Sequence, residues 1–134
     1  MDEPLEILVL DDEPIVCTRI KPSLEKAGYQ VEIMTDSVRA LDRIREKRFD
    51  ILITDYRMSK VTGLDLLNLQ KQIWPDTKVI IISGYATLEV ARKALQSGVY
   101  DFMAKPFRLY ELKEVVERAA QTIRAARQSQ RPET

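Results

Sequence analysis

Three adjacent carboxylates, Asp11, Asp12 and Glu13, directly follow the apolar run that ends at Leu10. Their like charges repel, and the repulsion is costly wherever such groups are partly buried. A bound divalent cation would remove that cost. The chain contains no histidine, so a metal site has to be built from oxygen ligands. Oxygen ligands favour Mg²⁺, with Mn²⁺ as a substitute.

Three further polar residues follow other apolar runs: Asp55, Ser83 and Lys105. In a doubly wound parallel sheet such positions meet at one edge, and the ends of neighbouring strands lie ~5 Å apart. A carboxylate surrounded by a metal ion, a hydroxyl and a lysine forms a site for a phosphoryl group. Asp55 is the candidate nucleophile, because aspartate can carry a covalent phosphoryl group. Lys105 would hold a phosphoryl oxygen.

Each of these residues also has a simpler explanation. Asp11 or Asp12 could cap a helix that begins at Pro14. Asp55 could be a turn residue, Lys105 could be solvated, and a hydroxyl at a strand end is more often a cap than a ligand. The coincidence of complementary groups after four separate runs favours a shared site.

The apolar runs that would position these residues predict five short strands. They are Leu5–Leu10, Val31–Met34, Ile51–Thr54, Val79–Ile82 and Tyr100–Met103. The first, third and fourth runs are almost continuously apolar, which indicates strands covered on both faces of a parallel sheet. The second and fifth are weaker and suit the edges of the sheet.

Helix-length segments with apolar residues at helical spacing separate the runs. The periodic positions, segment by segment, are Val16, Ile20, Leu24 and Ala27; Val38, Leu41 and Ile44; Leu64, Leu67 and Trp74; Leu88, Ala91 and Leu95; Leu112, Val116, Ala119 and Ile123. Pro22 predicts a kink or an irregular turn in the first helix. Asp36 or Ser37 is expected to cap the second. The alternation predicts an α/β fold of five βα units around a doubly wound parallel sheet.

Composition limits the class of protein. A chain of 134 residues fits one domain, and its 21 basic and 21 acidic residues give no net charge. This balance argues against direct nucleic-acid binding or membrane binding. A single cysteine excludes an intramolecular disulfide. No apolar run approaches ~20 residues, and the acidic start MDEPLE is not a signal peptide. We expect a cytoplasmic location.

The apolar pattern stops at about Ala125, and the chain ends in SQRPET. This predicts a domain over residues 1–124 and a C-terminal tail over 125–134, or the start of a linker to an output domain absent from this chain. From Arg118 to Arg131 the segment carries arginines and no acids. That pattern favours a solvated helix end, where cations interact well with the helix dipole.

Four segments together resemble a known family: LVLDDEP, ILITDYRMSKVTGLDLL, VIIISGYAT and YDFMAKPF. They are similar to the receiver domains of response regulators in two-component signal transduction. Among these, the motif sequences are most similar to receivers of the nitrogen-regulation type. The resemblance covers Ile7 to roughly Ile123. It implies a flavodoxin-like fold with the strand order 2-1-3-4-5.

The resemblance assigns the acidic residues to phosphorylation and metal binding. Asp55 matches the phosphoacceptor. Asp11 and Asp12 match the acidic pair that holds Mg²⁺, and of the two we expect Asp12 to contact the ion directly. The remaining ligands would be Asp55 and the backbone carbonyl of Arg57.

The resemblance also implies roles for residues around the phosphoryl group. Ser83 and Lys105 would stabilise it, and the Lys105–Pro106 bond is usually cis in the family. Phe102 matches an aromatic switch that turns inward when Ser83 moves. Arg57 and Tyr85 occupy positions that tune phosphoryl lifetime in the family. The chain departs from the family at Ser59, where a proline is common, and this predicts a more mobile loop from Arg57 to Gly63.

The implied function is a signalling switch. A histidine kinase or a phosphotransfer protein would donate a phosphoryl group to Asp55, and the chain's lack of histidine requires a separate donor molecule. Phosphorylation would change the surface of helix 4, strand 5 and helix 5, through which a partner or a second copy binds. The chain would catalyse its own phosphorylation and dephosphorylation and would not turn over a separate substrate.

Three alternatives stay open. A phosphatase of the haloacid dehalogenase type also uses an aspartyl nucleophile, but it places DxD where this chain has DDE. A flavodoxin-like cofactor carrier needs a loop rich in glycine and hydroxyl groups to bind the phosphate of FMN. A receiver-like module that is never phosphorylated would not need the complete set of site residues. Glu13 has no assigned role.

Overall fold

The computed structural model describes residues 3–130, over which five strands alternate with five helices. In chain order these are β1 (Glu6–Leu10), α1 (Pro14–Lys26), β2 (Gln30–Met34), α2 (Ser37–Glu46), β3 (Ile51–Asp55), α3 (Gly63–Ile73), β4 (Lys78–Ser83), α4 (Leu88–Gln96), β5 (Asp101–Ala104) and α5 (Leu109–Ser129). All strands pair in parallel, in the order β2-β1-β3-β4-β5. The predicted fold class and strand order are confirmed.

The three central strands carry the continuous apolar runs. Every residue of β3 is buried, as are all but the first of β1 and of β4. β3 and β4 each extend one polar residue beyond their apolar run, because backbone pairing continues to Asp55 and Ser83. These polar residues are therefore held by the sheet itself.

The sheet separates two hydrophobic cores. One lies under α1 and α5, with Ile20, Leu24 and Val116 among its buried residues. The other lies under α2, α3 and α4 and includes Phe49 and Leu67. Burial of apolar area on both faces is the main stabilising contribution to such a sandwich, and it explains why the central strands have no polar face.

Of the kink or irregular turn predicted at Pro22, the irregular turn is absent, because helix α1 runs through this residue without interruption. The kink stays a prediction. Proline removes the hydrogen bond that Thr18 would accept. Both residues are exposed, so water can solvate the unpaired carbonyl. The buried residues Ile20 and Leu24 keep the helix on the sheet. Asp36 or Ser37 is the predicted cap of α2, and the structure shows that it is Asp36. Its side chain accepts hydrogen bonds from two backbone amides of the first turn.

The helix marked by Leu88, Ala91 and Leu95 is present as α4, but its apolar repeat does not coincide with its buried face. Leu88 and Leu95 are 74% and 66% exposed, and Ala94 is the buried residue of this helix. Val90 and Ala91 are half-buried. The small side chain of Ala94 thus faces the core, and the two larger leucines face outward. An apolar repeat alone does not show which face of a short helix is buried.

Helix α5 continues to Ser129, five residues beyond the end of the predicted domain. Arg127, in its last turn, forms an ion pair with Asp50 just before β3. The other carboxylate oxygen of Asp50 accepts the Glu6 backbone N–H at 2.8 Å. The division of the chain at residue 124 stays a prediction, and residues 131–134 of the predicted tail lie outside the described range.

Within residues 3–130, no helix is long and apolar enough to cross a membrane.

Candidate functional site

Asp55 lies at the end of β3, still paired with Ile82 of β4, and is 8% exposed. The chain after it turns tightly into α3. The Gly63 N–H donates to the Tyr56 carbonyl at 2.8 Å. A Cβ on Gly63 would lie 2.6 Å from the Asp55 carbonyl oxygen, so a larger residue would displace one of the two segments. The glycine therefore lets the first turn of α3 approach the end of the strand.

Lys105 joins the ends of two strands. Its Nζ donates to Oδ2 of Asp11 at 2.9 Å and to Oδ2 of Asp55 at 3.1 Å. Its backbone N–H donates to the Ser83 carbonyl at 2.8 Å, which fixes its position beside β4. The peptide bond to Pro106 is cis. One ammonium group thus neutralises charge on two carboxylates that are almost completely buried.

Asp12 completes an acidic cluster with these two residues. One oxygen from each of Asp11, Asp12 and Asp55 lies within 4.8 Å of the others. Asp12 is exposed and, among the described residues, makes no side-chain hydrogen bond or ion pair. Three carboxylates that converge with one of them unpaired fit a hard divalent cation such as Mg²⁺, which prefers oxygen ligands and keeps several waters.

The titration of the site residues reflects this crowding. Burial, followed by the charges of Asp11 and Asp12, raises the pKa of Asp55, and the hydrogen bond from Lys105 opposes the rise. Burial by itself lowers the pKa of Lys105, but its hydrogen bonds to Asp11 and Asp55 outweigh burial and raise that pKa. The lysine is therefore held in its charged form.

Ser83 is completely buried at the end of β4, and its Oγ accepts the Tyr85 backbone N–H at 2.9 Å. Within residues 3–130 no hydrogen bond joins Ser83 to Asp55. Phe102 of β5 is half-buried and packs against the core under α2, α3 and α4. The structure places the two predicted switch residues on paired strands, since Ile81 of β4 is aligned with Phe102.

Arg57 and Tyr85 meet at the mouth of the site. The guanidinium carbon of Arg57 lies 4.3 Å from the centre of the Tyr85 ring, which is within cation–π distance. Both side chains are exposed. The pair connects the loop after β3 to the loop after β4. The sequence alone did not predict this contact, because the two residues are 28 positions apart and only the adjacency of β3 and β4 joins their loops.

The start of α1 shows where Glu13 lies and whether Asp11 or Asp12 caps the helix. Glu13 is the residue before the helix and makes no side-chain capping bond. Oδ1 of Asp11 accepts the Glu13 backbone N–H at 2.9 Å, which shapes the turn without capping the helix. The Glu13 carboxylate lies 3.9 Å from Lys105 Nζ. Neither aspartate acts as the helix cap, and Glu13 adds negative charge at the rim of the site.

Comparison with known proteins identifies similar chains. A family model described as the response regulator receiver domain matches residues 7–117. The nitrogen assimilation regulatory protein NtrX of Azorhizobium caulinodans is 35% identical over 125 residues, which cover 92% of this chain. They cover 28% of the relative, so the chain spans little more than a quarter of that protein's length.

Solved structures agree in fold. A response regulator receiver domain protein from Clostridium thermocellum has a TM-score of 0.84 and 31% identity, covering 91% of this chain and 98% of the other. The beryllofluoride-activated NtrC4 receiver domain, solved as a dimer in solution, has a TM-score of 0.83 and 28% identity, covering 88% and 98%.

Proposed function

The chain belongs to the response regulator receiver domain family, and we propose that Asp55 is the phosphoacceptor of its signalling switch. Receiver domains accept a phosphoryl group as part of a signalling pathway and do not turn over a separate substrate. The observation that carries the assignment is the bridge from Lys105 to Asp11 and Asp55, with Asp12 in reach of both carboxylates.

Different residues of this chain would bind the metal, attack the phosphorus atom and stabilise the transferred phosphoryl group. Asp11, Asp12, Asp55 and the backbone carbonyl of Arg57 would hold Mg²⁺, which supplies positive charge to the transferring phosphoryl oxygens when bound. Lys105 engages Oδ2 of Asp55, which leaves Oδ1 to attack the phosphorus atom. The bond between phosphorus and the donor's histidine nitrogen breaks as the new P–O bond forms. The Lys105 ammonium then donates to a phosphoryl oxygen.

Ser83 and Phe102 would convert phosphorylation into a change of surface. The Ser83 hydroxyl now accepts the Tyr85 N–H, and a phosphoryl group on Asp55 offers its proton a strong new acceptor. Movement of Ser83 toward that acceptor would free space at the end of β4. Phe102 on the adjacent strand would then turn inward, which couples the site to β5.

The responding surface would be the face formed by α4, β5 and α5. Leu88 and Leu95 of α4 and Tyr110 of α5 are exposed apolar residues there. The NtrC4 receiver, 28% identical to this chain, is a dimer in its activated form. We expect this face to bind a second copy of the chain or another partner after phosphorylation.

The proposed donor, output domain and location are based on the similarity to response regulators. A histidine kinase or phosphotransfer protein would supply the phosphoryl group. The matching region is a quarter or so of NtrX, so an output domain in the full protein is part of the proposal, with residues 125–134 as the start of its linker. A cytoplasmic location and the lifetime-tuning roles of Arg57 and Tyr85 belong to the same proposal.

The decisive experiment is phosphorylation of the chain with Mg²⁺ and acetyl phosphate, followed by mass spectrometry. We expect one acid-stable, base-labile phosphoryl adduct in the native chain and none in Asp55→Asn. Asp76→Asn, which changes an exposed aspartate, serves as the control and should react like the native chain. Labelling should also fail without a divalent cation.

Two results would contradict the proposal. Undiminished labelling of Asp55→Asn would show that another residue is the phosphoacceptor. Sustained release of phosphate from small phosphate esters would favour the phosphatase alternative over a signalling switch.

A further inference from the structure

The loop between β3 and α3, residues 56–62, carries the Arg57 carbonyl proposed as a metal ligand. The absence of proline at Ser59 predicts a mobile loop. The structure shows a hydrogen bond from another element to this loop: the Ser37 hydroxyl donates to the Ser59 carbonyl at 2.7 Å. Ser37 is the first residue of α2 and is 5% exposed. A buried donor at the start of α2 therefore restrains the backbone in the middle of the loop.

The restrained position lies in a turn that is unfavourable by itself. The Ser59 carbonyl also accepts the Val61 backbone N–H at 2.9 Å, so two donors engage one oxygen. Lys60, which lies between Ser59 and Val61, has a φ of 74°. This left-handed conformation is disfavoured for a residue with a Cβ. Such a conformation persists only where surrounding contacts determine it, and the hydroxyl of Ser37 is one of those contacts.

Other hydrogen bonds hold the two ends of the loop. Gly63 N–H donates to the Tyr56 carbonyl, and Thr62 and Asp65 form a reciprocal capping box at the start of α3. In contrast, the side chains of Arg57 and Ser59 are exposed. Met58 between them packs against the core under α2, α3 and α4, and Arg57 lies over the Tyr85 ring. The Ser37 hydroxyl adds a hydrogen bond from α2 to the backbone carbonyl of Ser59.

We propose that Ser37 is a positioning residue for divalent-cation binding: its hydroxyl holds the β3–α3 loop so that the Arg57 carbonyl faces the acidic cluster. Ser37 acts through Ser59 and contacts neither the ion nor the phosphoryl group. The inference rests on the proposed function, because it requires the Arg57 carbonyl to be a metal ligand. Groups that orient ligands are known to influence metal affinity strongly.

The test measures Mn²⁺ affinity by electron paramagnetic resonance of the free ion, without any phosphodonor. Ser37→Ala should bind Mn²⁺ about tenfold more weakly than the native chain, in line with the usual effect of removing a group that orients a ligand. Ser37→Thr keeps the hydroxyl and should restore native affinity. If Ser37→Ala does not fold, Ser37→Cys preserves the volume with a weak donor and should show an intermediate loss.

Thr77→Val provides a matched control. The Thr77 hydroxyl is also buried and donates to a distant backbone carbonyl, that of Phe49, at 2.6 Å. It precedes β4, at the opposite end of the sheet from the acidic cluster. Both Thr77→Val and Ser37→Ala should lower the thermal midpoint, but only Ser37→Ala should weaken Mn²⁺ binding.

The outcomes separate the inference from the proposed function. Native Mn²⁺ affinity in Ser37→Ala would overturn the inference and leave the proposed function intact. An equal loss of affinity in Thr77→Val would also overturn it, since the effect would then be general destabilisation. Failure of the native chain itself to bind Mn²⁺ would overturn both.

Discussion

Lys105 determines the electrostatic balance of the site at the scale of single residues. It contacts two carboxylates from different strands, at 2.9 and 3.1 Å, and is itself mostly buried. Without a cation in this position, Asp11 and Asp55 would face each other as like charges in a region of low dielectric. The lysine therefore stabilises the pair of buried carboxylates in the protein without a bound phosphoryl group.

Gln70 presents the opposite case, a buried polar group with no partner. Its side-chain amide is completely buried in α3, and neither its nitrogen nor its oxygen is hydrogen-bonded within the described residues. An unsatisfied buried amide is destabilising. We expect Gln70→Leu to raise the free energy of unfolding by about 1 kcal/mol, measured by urea denaturation.

Gln72→Leu is the matched control for that prediction, because it makes the same change on an exposed position of the same helix. Its effect should stay within about 0.5 kcal/mol. Destabilisation by Gln70→Leu would mean that the amide has a hydrogen-bond partner, such as a buried water.

At the scale of elements, β2 and α2 are connected by a charged network on the outer edge of the sheet. Glu32 of β2 accepts hydrogen bonds from Arg43 and Lys47 at distances from 2.6 to 3.1 Å. Lys47 also pairs with Glu6 of β1, and both cations lie near the ring of Phe49. The hydrogen bond from Arg43, opposed by burial, lowers the pKa of Glu32 to about 2.

This network predicts a specific loss of stability in acid. The folded-state pKa of Glu32 lies below its ordinary value of 4.5, so its contribution is present above pH 4.5 and disappears as the pH falls toward about 2. Because the side chain is more than a third exposed, Glu32→Gln should cost only about 0.5 to 1 kcal/mol at pH 7. The difference between variant and native chain should shrink as the pH falls, followed by urea denaturation at several pH values.

Glu46→Gln is the control for the acid prediction, since Glu46 lies 3.4 Å from the same Arg43 but is 64% exposed. It should change stability less than Glu32→Gln at pH 7. A difference between Glu32→Gln and the native chain that stays constant from pH 7 to pH 2 would contradict the assignment.

The elements also show what a sequence can predict. The strands were located to within a residue or so, because Ile51–Thr54 and Val79–Ile82 have almost no polar residue and leave little ambiguity. The positions of Asp55 and Lys105 at strand ends followed from that. The buried face of α4 and the Ser37–Ser59 bond do not follow from the strands, because Leu88 is exposed despite its place in the apolar repeat and the bond joins residues 22 positions apart. The structure shows both only after the elements are packed.

At the scale of the whole molecule, the exposed leucines of α4 predict activation-dependent dimerisation. Leu88→Ser combined with Leu95→Ser should leave acetyl phosphate labelling unchanged but abolish any dimer formed with Mg²⁺ and beryllofluoride, measured by light scattering after size exclusion. Val38→Ser, an exposed apolar residue on α2, is the control and should dimerise normally. A monomeric native chain under these conditions would contradict dimerisation through this face.

The bridge from Lys105 to Asp11 joins residues 94 positions apart. Closing a loop of this length costs conformational entropy before the contact can form. While the chain emerges from the ribosome, Asp11 and Asp55 are made well before Lys105. Incomplete chains should therefore carry the carboxylates without the cation that steadies them. Competence for phosphorylation would then require synthesis to have passed Lys105, so a truncated product that ended before β5 should compete poorly with longer chains for phosphoryl groups.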